Sequence, residues 1–368
     1  MKVLVVFGTR PEAIKMCPLV LKLKEKNGID CIVCLTGQHK EMLMQVMGVF
    51  GIVEDYNLEI MKDKQTLTSI TTSILEKIKP ILENERPDLV LVHGDTTTSF
   101  AAALASFYQK IPIGHVEAGL RTGNIYSPFP EEMNRLITDR ISTFYYAPTE
   151  SNKNNLLSEG ISKNIYVTGN TVIDSFKYTV KKNYVFSDDV LNKIDFEKNR
   201  VITVTAHRRE NLGIPLQNIC NAIKKIADDY SDVIIVYPVH LNPRVRDIVF
   251  SILEKKENIK LIDPIDVLDM HNLISQSYMI MTDSGGLQEE APHFGKPVLV
   301  LRTETERPEA VQAGTVKIVG TNEEVIYTEA KNLLENKLDY EQMARAINPY
   351  GDGNACERIV QSILEISK

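Results

Sequence analysis

Three carboxylates and one histidine stand where proton chemistry could occur. They are Asp95 in VHGDTTT, Glu117 in GHVEAGLRT, Glu131 in YSPFPEEMNR and His207 in TAHRREN. Asp95 and Glu117 each come directly after a short apolar run. A carboxylate just beyond an apolar strand is partly desolvated, which tends to raise its pKa toward general acid–base use. Each one alone also reads as a helix cap, or as a salt-bridge partner of Arg121 or Arg135. His207 adds a titratable group to the cationic loop His207-Arg208-Arg209-Glu210.

Glycine-rich and cationic turns accompany these groups. The tetrapeptide RPEA occurs twice, at Arg10–Ala13 and at Arg307–Ala310, each time after an apolar run. Asp283-Ser284-Gly285-Gly286 closes another apolar run and opens LQEEA. A helix start offers free N–H groups and a partial positive charge, and glycines let a phosphate approach the backbone. Glu290, about a turn further on, could accept from ribose hydroxyls. The same stretch also reads as a plain strand-to-helix turn. The turn at residue 8 lacks the G-x-G-x-x-G dinucleotide pattern. It supplies Arg10 and then Lys15, which are surface charges singly and a phosphate clamp together. His115-Val-Glu117 has the H-x-E spacing of zinc deaminases, but the downstream P-C-x-x-C is absent, so the sequence points to no metal. Cys31-Ile-Val-Cys34 lies in an apolar run that reads as a strand. There positions i and i+3 face opposite ways, which suits neither a disulfide nor a shared metal.

The elements that must position these residues are legible as runs and periods. Apolar runs at 2–7, 30–35, 88–93, 111–116, 144–147 and 164–168 are strand candidates in the first half. In the second half they are 201–205, 233–237, 259–262, 278–282, 297–301 and 315–319. Between them, segments such as PEAIKMCPLVLKLKEK and LQNICNAIKKIADDY carry apolar residues at helical spacing. Strand and helix in alternation imply βαβ units and parallel sheets covered on both faces. The fold class is α/β, with two Rossmann-like, doubly wound domains at 1–172 and 173–354. The polar stretch 179–200 reads as the linker region, and a last helix, 355–368, packs back on the first domain. Ligands of open α/β sheets bind beyond the carboxyl ends of the strands, where these polar motifs collect. Two such edges facing one another would enclose a cleft with one RPEA turn on each wall.

Bulk composition narrows the class. The chain has 368 residues, 43% of them hydrophobic and 25% charged, with a net charge of −7. That is ordinary for a globular protein and argues against nucleic acid or an anionic membrane as main partner. No apolar run approaches the ~20 residues of a membrane span, and five cysteines give no disulfide framework. The reading is a cytoplasmic protein.

The longer motifs carry a resemblance. VFGTRPEAIKMCPL, TGQHKEML, VLVHGDTTT, GHVEAGLRTGNIYSPFPEEMNR, VTGNTVID, TAHRREN, YPVHLNP, TDSGGLQEEA, ERPEAVQAGT and NPYGDGNA together resemble the non-hydrolysing UDP-N-acetylglucosamine 2-epimerases, across essentially the whole chain. The resemblance implies the twin Rossmann-like fold shared with glycosyltransferase-B enzymes. It also implies interconversion of UDP-GlcNAc and UDP-ManNAc with no metal or nicotinamide cofactor, and a homodimer. Acid–base work falls on Asp95, Glu117, Glu131 and His207. Substrate contacts fall on these groups other than Glu131 and on Arg10, Lys15, Met270, Ser284, Gly285, Gly286, Glu290 and Arg307. In bacterial members a second, activating UDP-GlcNAc site draws on positions that match Gln38, Glu41, Lys64, Arg208 and His240. Here the chain departs from the pattern: Lys40 and Lys64 stand where relatives carry Arg, and Glu41 where some carry Gln. Lysine cannot give arginine's bidentate contact. Ile265 and Met270 replace the Gln and Phe frequent near the uracil.

Chemistry agrees with that assignment. The sugar C2 hydrogen has no neighbouring carbonyl to acidify it, so its removal is feasible if UDP leaves C1 in the same process. Re-addition on the other face inverts C2. The alternatives are a hydrolysing epimerase releasing UDP and ManNAc, a C2 epimerase of another UDP-2-acetamido sugar, and a glycosyltransferase on the same fold.

Overall fold

Short runs of Val, Ile and Leu become strands here because β-branched side chains suit a pleated surface that helices cover on both faces. The computed structural model describes residues 1–37, 40–62 and 65–366, and of residues 40–42 the backbone alone. It divides into two units, Met1–Tyr178 with Tyr350–Lys368 (unit 1) and Thr179–Pro349 (unit 2).

Unit 1 contains β1 (Lys2–Phe7), β2 (Asp30–Leu35), β3 (Tyr56–Asn57), β4 (Leu89–His93), β5 (Ile113–Val116), β6 (Phe144–Ala147) and β7 (Ile165–Val167). They form one parallel sheet in the order β3-β2-β1-β4-β5-β6-β7. Unit 2 contains β8 (Arg200–Thr205), β9 (Val233–Pro238), β10 (Ile259–Ile262), β11 (Met279–Thr282), β12 (Val298–Val300) and β13 (Val316–Ile318). Their order is β10-β9-β8-β11-β12-β13. Both sheets are doubly wound and Rossmann-like, and reverse direction once, between β1 and β4 and between β8 and β11. Every expected run forms a strand, with ends moved by a residue or two. Tyr56–Asn57 is the exception that the runs did not announce, since two residues carry no period.

Helices bury their apolar stripes on these sheets. In the helix Leu67–Glu85, Ile70, Ile74, Ile78 and Ile81 recur at helical spacing and are buried with Leu4, Val6 and Val92. Each such side chain contributes about 2 kcal/mol of burial. The helix Ile214–Asp229 does the same in unit 2 through Leu216, Ile219, Ile223 and Ile226. The stretch 179–200 is more than a linker: Phe186, Leu191 and Ile194 are buried with Val201, Val236 and Leu273. Their irregular spacing among polar residues hides that role in the sequence. Asp174 accepts from the first free N–H groups of the helix Ala355–Ile366, Ala355 and Cys356, both at 3.0 Å. No helix among the described residues is long and apolar enough to cross a membrane.

Candidate active site

The carboxyl end of β1 is built around a buried glutamate. Thr9 caps the helix Arg10–Lys24, and Glu12 returns the favour as the third residue of a capping box. Glu12 Oε2 accepts from Gly8 N–H (3.0 Å) and Thr9 N–H (2.8 Å), and its Oε1 from the Thr96 hydroxyl (2.6 Å) and the Ser99 hydroxyl (3.1 Å). One side chain thus ties the end of β1 to the turn after β4. Gly8 is required there, because a Cβ would overlap the Thr36 hydroxyl. Arg10 and Lys15 leave this helix half-buried. Arg10 makes no ion pair among the described residues.

Glu117, directly after β5, has φ 68°, in the left-handed region that a residue with a Cβ enters at a cost of about 1–2 kcal/mol. Its Oε2 forms an ion pair with Lys15, accepts from Asn170 Nδ2 (3.0 Å) and lies 3.5 Å from His93 Nε2. Its Oε1 makes no hydrogen bond among the described residues. Burial works against ionisation, but the Lys15 ammonium and then His93 outweigh it, holding the carboxyl well below the usual range. This reverses the expected upward shift. The strand end does desolvate the group, but the lysine opposite decides the sign.

Asp95, after β4, is paired with Arg135, whose Nη1 also binds Glu132 Oε2 at 2.8 Å. Glu132 Oε1 in turn accepts from Thr122 N–H (2.9 Å) and Gly123 N–H (3.1 Å), fixing the loop ahead of the helix Glu131–Ile141. Asn134 Nδ2 donates to the Asp95 carbonyl at 2.9 Å. Glu131 opens that helix and keeps a buried Oε2 without a hydrogen bond among the described residues. His115 is fully buried, and both its ring nitrogens are engaged, Nδ1 by Asp139 Oδ1 (2.6 Å) and Nε2 by the Gly94 carbonyl (2.7 Å). The H-x-E histidine therefore braces the turn that carries Asp95. Arg121 pairs with Asp139 at 2.8 Å and with Glu159 at 2.7 Å. Cys31 and Cys34 are buried, unpaired thiols whose pKa burial pushes up to about 12.

In unit 2 the residues after β8 and β11 meet. Asp283 Oδ2 accepts from His207 N–H (2.8 Å), Arg208 N–H (2.8 Å) and Asn211 Nδ2 (3.0 Å). The His207 ring stacks on His240, with centroids 5.2 Å apart and planes 4° from parallel. Its side chain is 42% exposed, yet loss of solvent on the inner side lowers its pKa. His240 and Arg208 add to the shift and Asp283 opposes it. Gly285 and Gly286 open the helix Gly285–Glu290 behind the N-cap Ser284. A Cβ built on Gly285 would stand 3.7 Å from Arg307 Nη2, so the second RPEA arginine lies against this turn. Arg307 pairs with the buried Glu289. Glu290 Oε2 is 3.8 Å from His271 Nε2, and Met270 is half-buried on the helix Val267–Gln276.

The structure thus gathers Lys15 with Glu117, and His207 with Arg208, His240 and Asp283. Gln38 and Lys64 lie outside the described residues, as does the side chain of Glu41. Four participants carry no role in the sequence reading: Glu12, His93, Asn170 and Asp283. Thr9-Arg10-Pro11-Glu12 is a capping-box pattern that could have revealed the first, and a histidine closing an otherwise apolar strand could have flagged the second.

Known proteins agree with this architecture. The profile of the family described as UDP-N-acetylglucosamine 2-epimerase matches residues 21–364. The UDP-N-acetylglucosamine 2-epimerase of Bacillus subtilis (strain 168) is 53% identical over 365 residues, which cover 99% of this chain and 95% of that protein. The crystal structure of UDP-GlcNAc 2-epimerase from Neisseria meningitidis, bound to UDP-GlcNAc, is 51% identical with a TM-score of 0.90, covering 99% of this chain and 100% of that one. The Methanocaldococcus jannaschii UDP-GlcNAc 2-epimerase, in complex with UDP-GlcNAc and UDP, is 35% identical with a TM-score of 0.79, covering 99% and 100%. Over nearly its whole length the chain belongs to the UDP-N-acetylglucosamine 2-epimerase family, and the enzyme is an isomerase.

Proposed function

We propose that the enzyme interconverts UDP-GlcNAc and UDP-ManNAc by eliminating UDP and adding it back. A base removes the C2 proton while the C1–O bond breaks and its electron pair leaves with UDP, giving an alkene between C1 and C2. UDP then returns to C1 and an acid delivers a proton to the other face of C2. Asp95, Glu117, Glu131 and His207 share this proton traffic, each contributing about 10²–10⁴-fold. Arg10, Lys15, Met270, Ser284, Gly285, Gly286, Glu290 and Arg307 are the further substrate contacts.

The observation that carries this reading is the carboxylate after β5. Glu117 is held ionised in a largely covered site, anchored through Oε2 and, among the described residues, without a hydrogen bond at Oε1. An ionised, oriented carboxylate is what proton removal from carbon requires. The same geometry lets the substrate activate it. A diphosphate competes for Lys15, and whatever it draws away raises the basicity of Glu117. Preorganised charge also stabilises the departing diphosphate. We infer further that the enzyme works in the cytoplasm as a homodimer supplying polysaccharide biosynthesis for the cell envelope, with UDP-GlcNAc also serving as activator.

The mechanism is tested by running the reaction in deuterated water with UDP-GlcNAc labelled at the bridging oxygen. Expected are deuterium at C2 of the product, scrambling of the label among the β-phosphate oxygens, and no effect of added NAD. Product UDP-ManNAc with protium at C2 would overturn the mechanism, as would a bridging oxygen that never scrambles. Stoichiometric release of UDP and free ManNAc would show a hydrolase instead.

A further inference from the structure

Asp283 is fully buried just past β11. The register Thr205↔Thr282 sets it beside the first residues after β8, and its own N–H donates to the Thr205 carbonyl at 3.1 Å. Its two oxygens are unequally served. Oδ2 takes all three N–H donors described above, whereas Oδ1 is buried and has no hydrogen bond among the described residues. A buried acceptor without a partner is costly, so its presence calls for a reason. His207 Nδ1 lies 3.7 Å from Oδ1.

We propose that Asp283 is a positioning residue that fixes the tautomer of His207: Oδ1 accepts from Nδ1–H, leaving Nε2 as the bare nitrogen that takes and returns the proton in the reaction. The proposal rests on the reading of His207 as one of the acid–base groups. The proton gained at Nε2 comes from the substrate, whose bonding pair stays behind, and the imidazolium formed is stabilised by the carboxylate until the proton is handed back. No other reactant is needed.

Three features support it. The three N–H donors on Oδ2 anchor the carboxylate, so closing the remaining contact asks only the ring to move, by about 1 Å. Hydrogen bonds of this kind are commonly long in free enzymes and tighten with substrate bound. Loss of solvent favours the neutral form of the His207 ring, which carries one proton, so an acceptor on the Nδ1 side decides where that proton resides. His240 constrains the ring plane without competing for the proton. Its own Nδ1 accepts from Asn242 N–H at 3.1 Å, so it carries its proton on Nε2.

The test combines nitrogen NMR of the histidine rings with kinetics on UDP-GlcNAc, the His207 signal being the one absent in His207→Gln. In the wild type the neutral ring is expected to carry its proton on Nδ1. In Asp283→Asn the amide oxygen can keep the three N–H donors while the amide NH2 faces Nδ1, which forces the proton to Nε2. There kcat should fall roughly 10²-fold or more with KM within about threefold, as expected for a wrong tautomer in intact geometry. A wild-type ring protonated on Nε2 overturns the proposal with no variant needed. Full turnover in Asp283→Asn alongside a crippled His207→Gln overturns the part given to Asp283. Full turnover in both overturns the role of His207 itself.

Discussion

The Lys15 ammonium and the Glu117 carboxylate form an ion pair between the helix after β1 and the turn after β5. Their side chains are 17% and 11% exposed, so neither charge is well solvated without the other. Lys15→Met should therefore strand a covered carboxylate, costing on the order of 3 kcal/mol and lowering Tm. The folded pKa of Glu117 is depressed, so the stabilisation is fully present above the unfolded value of about 4.3 and is lost as pH falls through the folded pKa. Thermal melts from pH 7 to 3 should show the gap between wild type and variant narrowing as pH falls, first as the stranded carboxylate of the variant takes up a proton above the unfolded value and then as the wild-type pair is lost. A gap that is constant with pH would assign the loss to packing.

Asn170 anchors the same carboxylate at 3.0 Å with a neutral donor. Asn170→Asp places a second carboxylate there, and like charges this close raise the pKa of the pair. The acid limb of the kcat–pH profile should move up by about one unit or more. Asn170→Ala adds no charge and should leave the limb in place while lowering kcat roughly 10–100-fold through misplacement of the Glu117 carboxylate. Identical profiles for the two variants would contradict an electrostatic link to Glu117.

The two RPEA arginines should separate on stability and agree on binding. Arg10→Ala and Arg307→Ala should each weaken UDP binding by about 1.5–3 kcal/mol in calorimetry. Arg307→Ala also removes the ion pair to the buried Glu289 and should lower Tm, whereas Arg10→Ala removes no ion pair among the described residues. Unchanged UDP affinity in either variant would remove that arginine from the site.

Gly285 offers a test of the phosphate cradle. An added Cβ would make ordinary contact with Arg307 at 3.7 Å, so Gly285→Ala should fold with a Tm close to wild type. The methyl would nonetheless occupy the approach that a phosphate needs, and UDP affinity should fall about tenfold or more, equal to ~1.4 kcal/mol. Calorimetry beside a thermal melt reads both quantities from one preparation.

Most of the fold was legible because parallel strands covered on both faces leave continuous apolar runs, and twelve of the thirteen strands among the described residues do so. Asp95, Glu117 and His207 were legible as candidates for a related reason: they follow those runs. Their pairing was not. Lys15 and Glu117 are 102 residues apart, and only the order β1-β4-β5 brings their turns together. The desolvation of Glu117 could therefore be read from the run before it, whereas the counter-charge that reverses its pKa shift could not. The repeated RPEA misleads in the same way. In the first copy Glu12 closes a capping box, whereas the second opens a helix with no side-chain cap.

Asp174, before unit 2 in the chain, holds the N–H groups of Ala355 and Cys356, after it. Asn170, the anchor of Glu117, donates its own N–H to the Tyr350 carbonyl at 2.7 Å. During synthesis, unit 2 is continuous and can close as it leaves the ribosome, while unit 1 has its whole sheet but not the strap behind Asn170. The Glu117 carboxylate would then acquire its final orientation only after translation has passed residue 350. A nascent chain can accordingly complete one folded body while still being unable to turn over substrate.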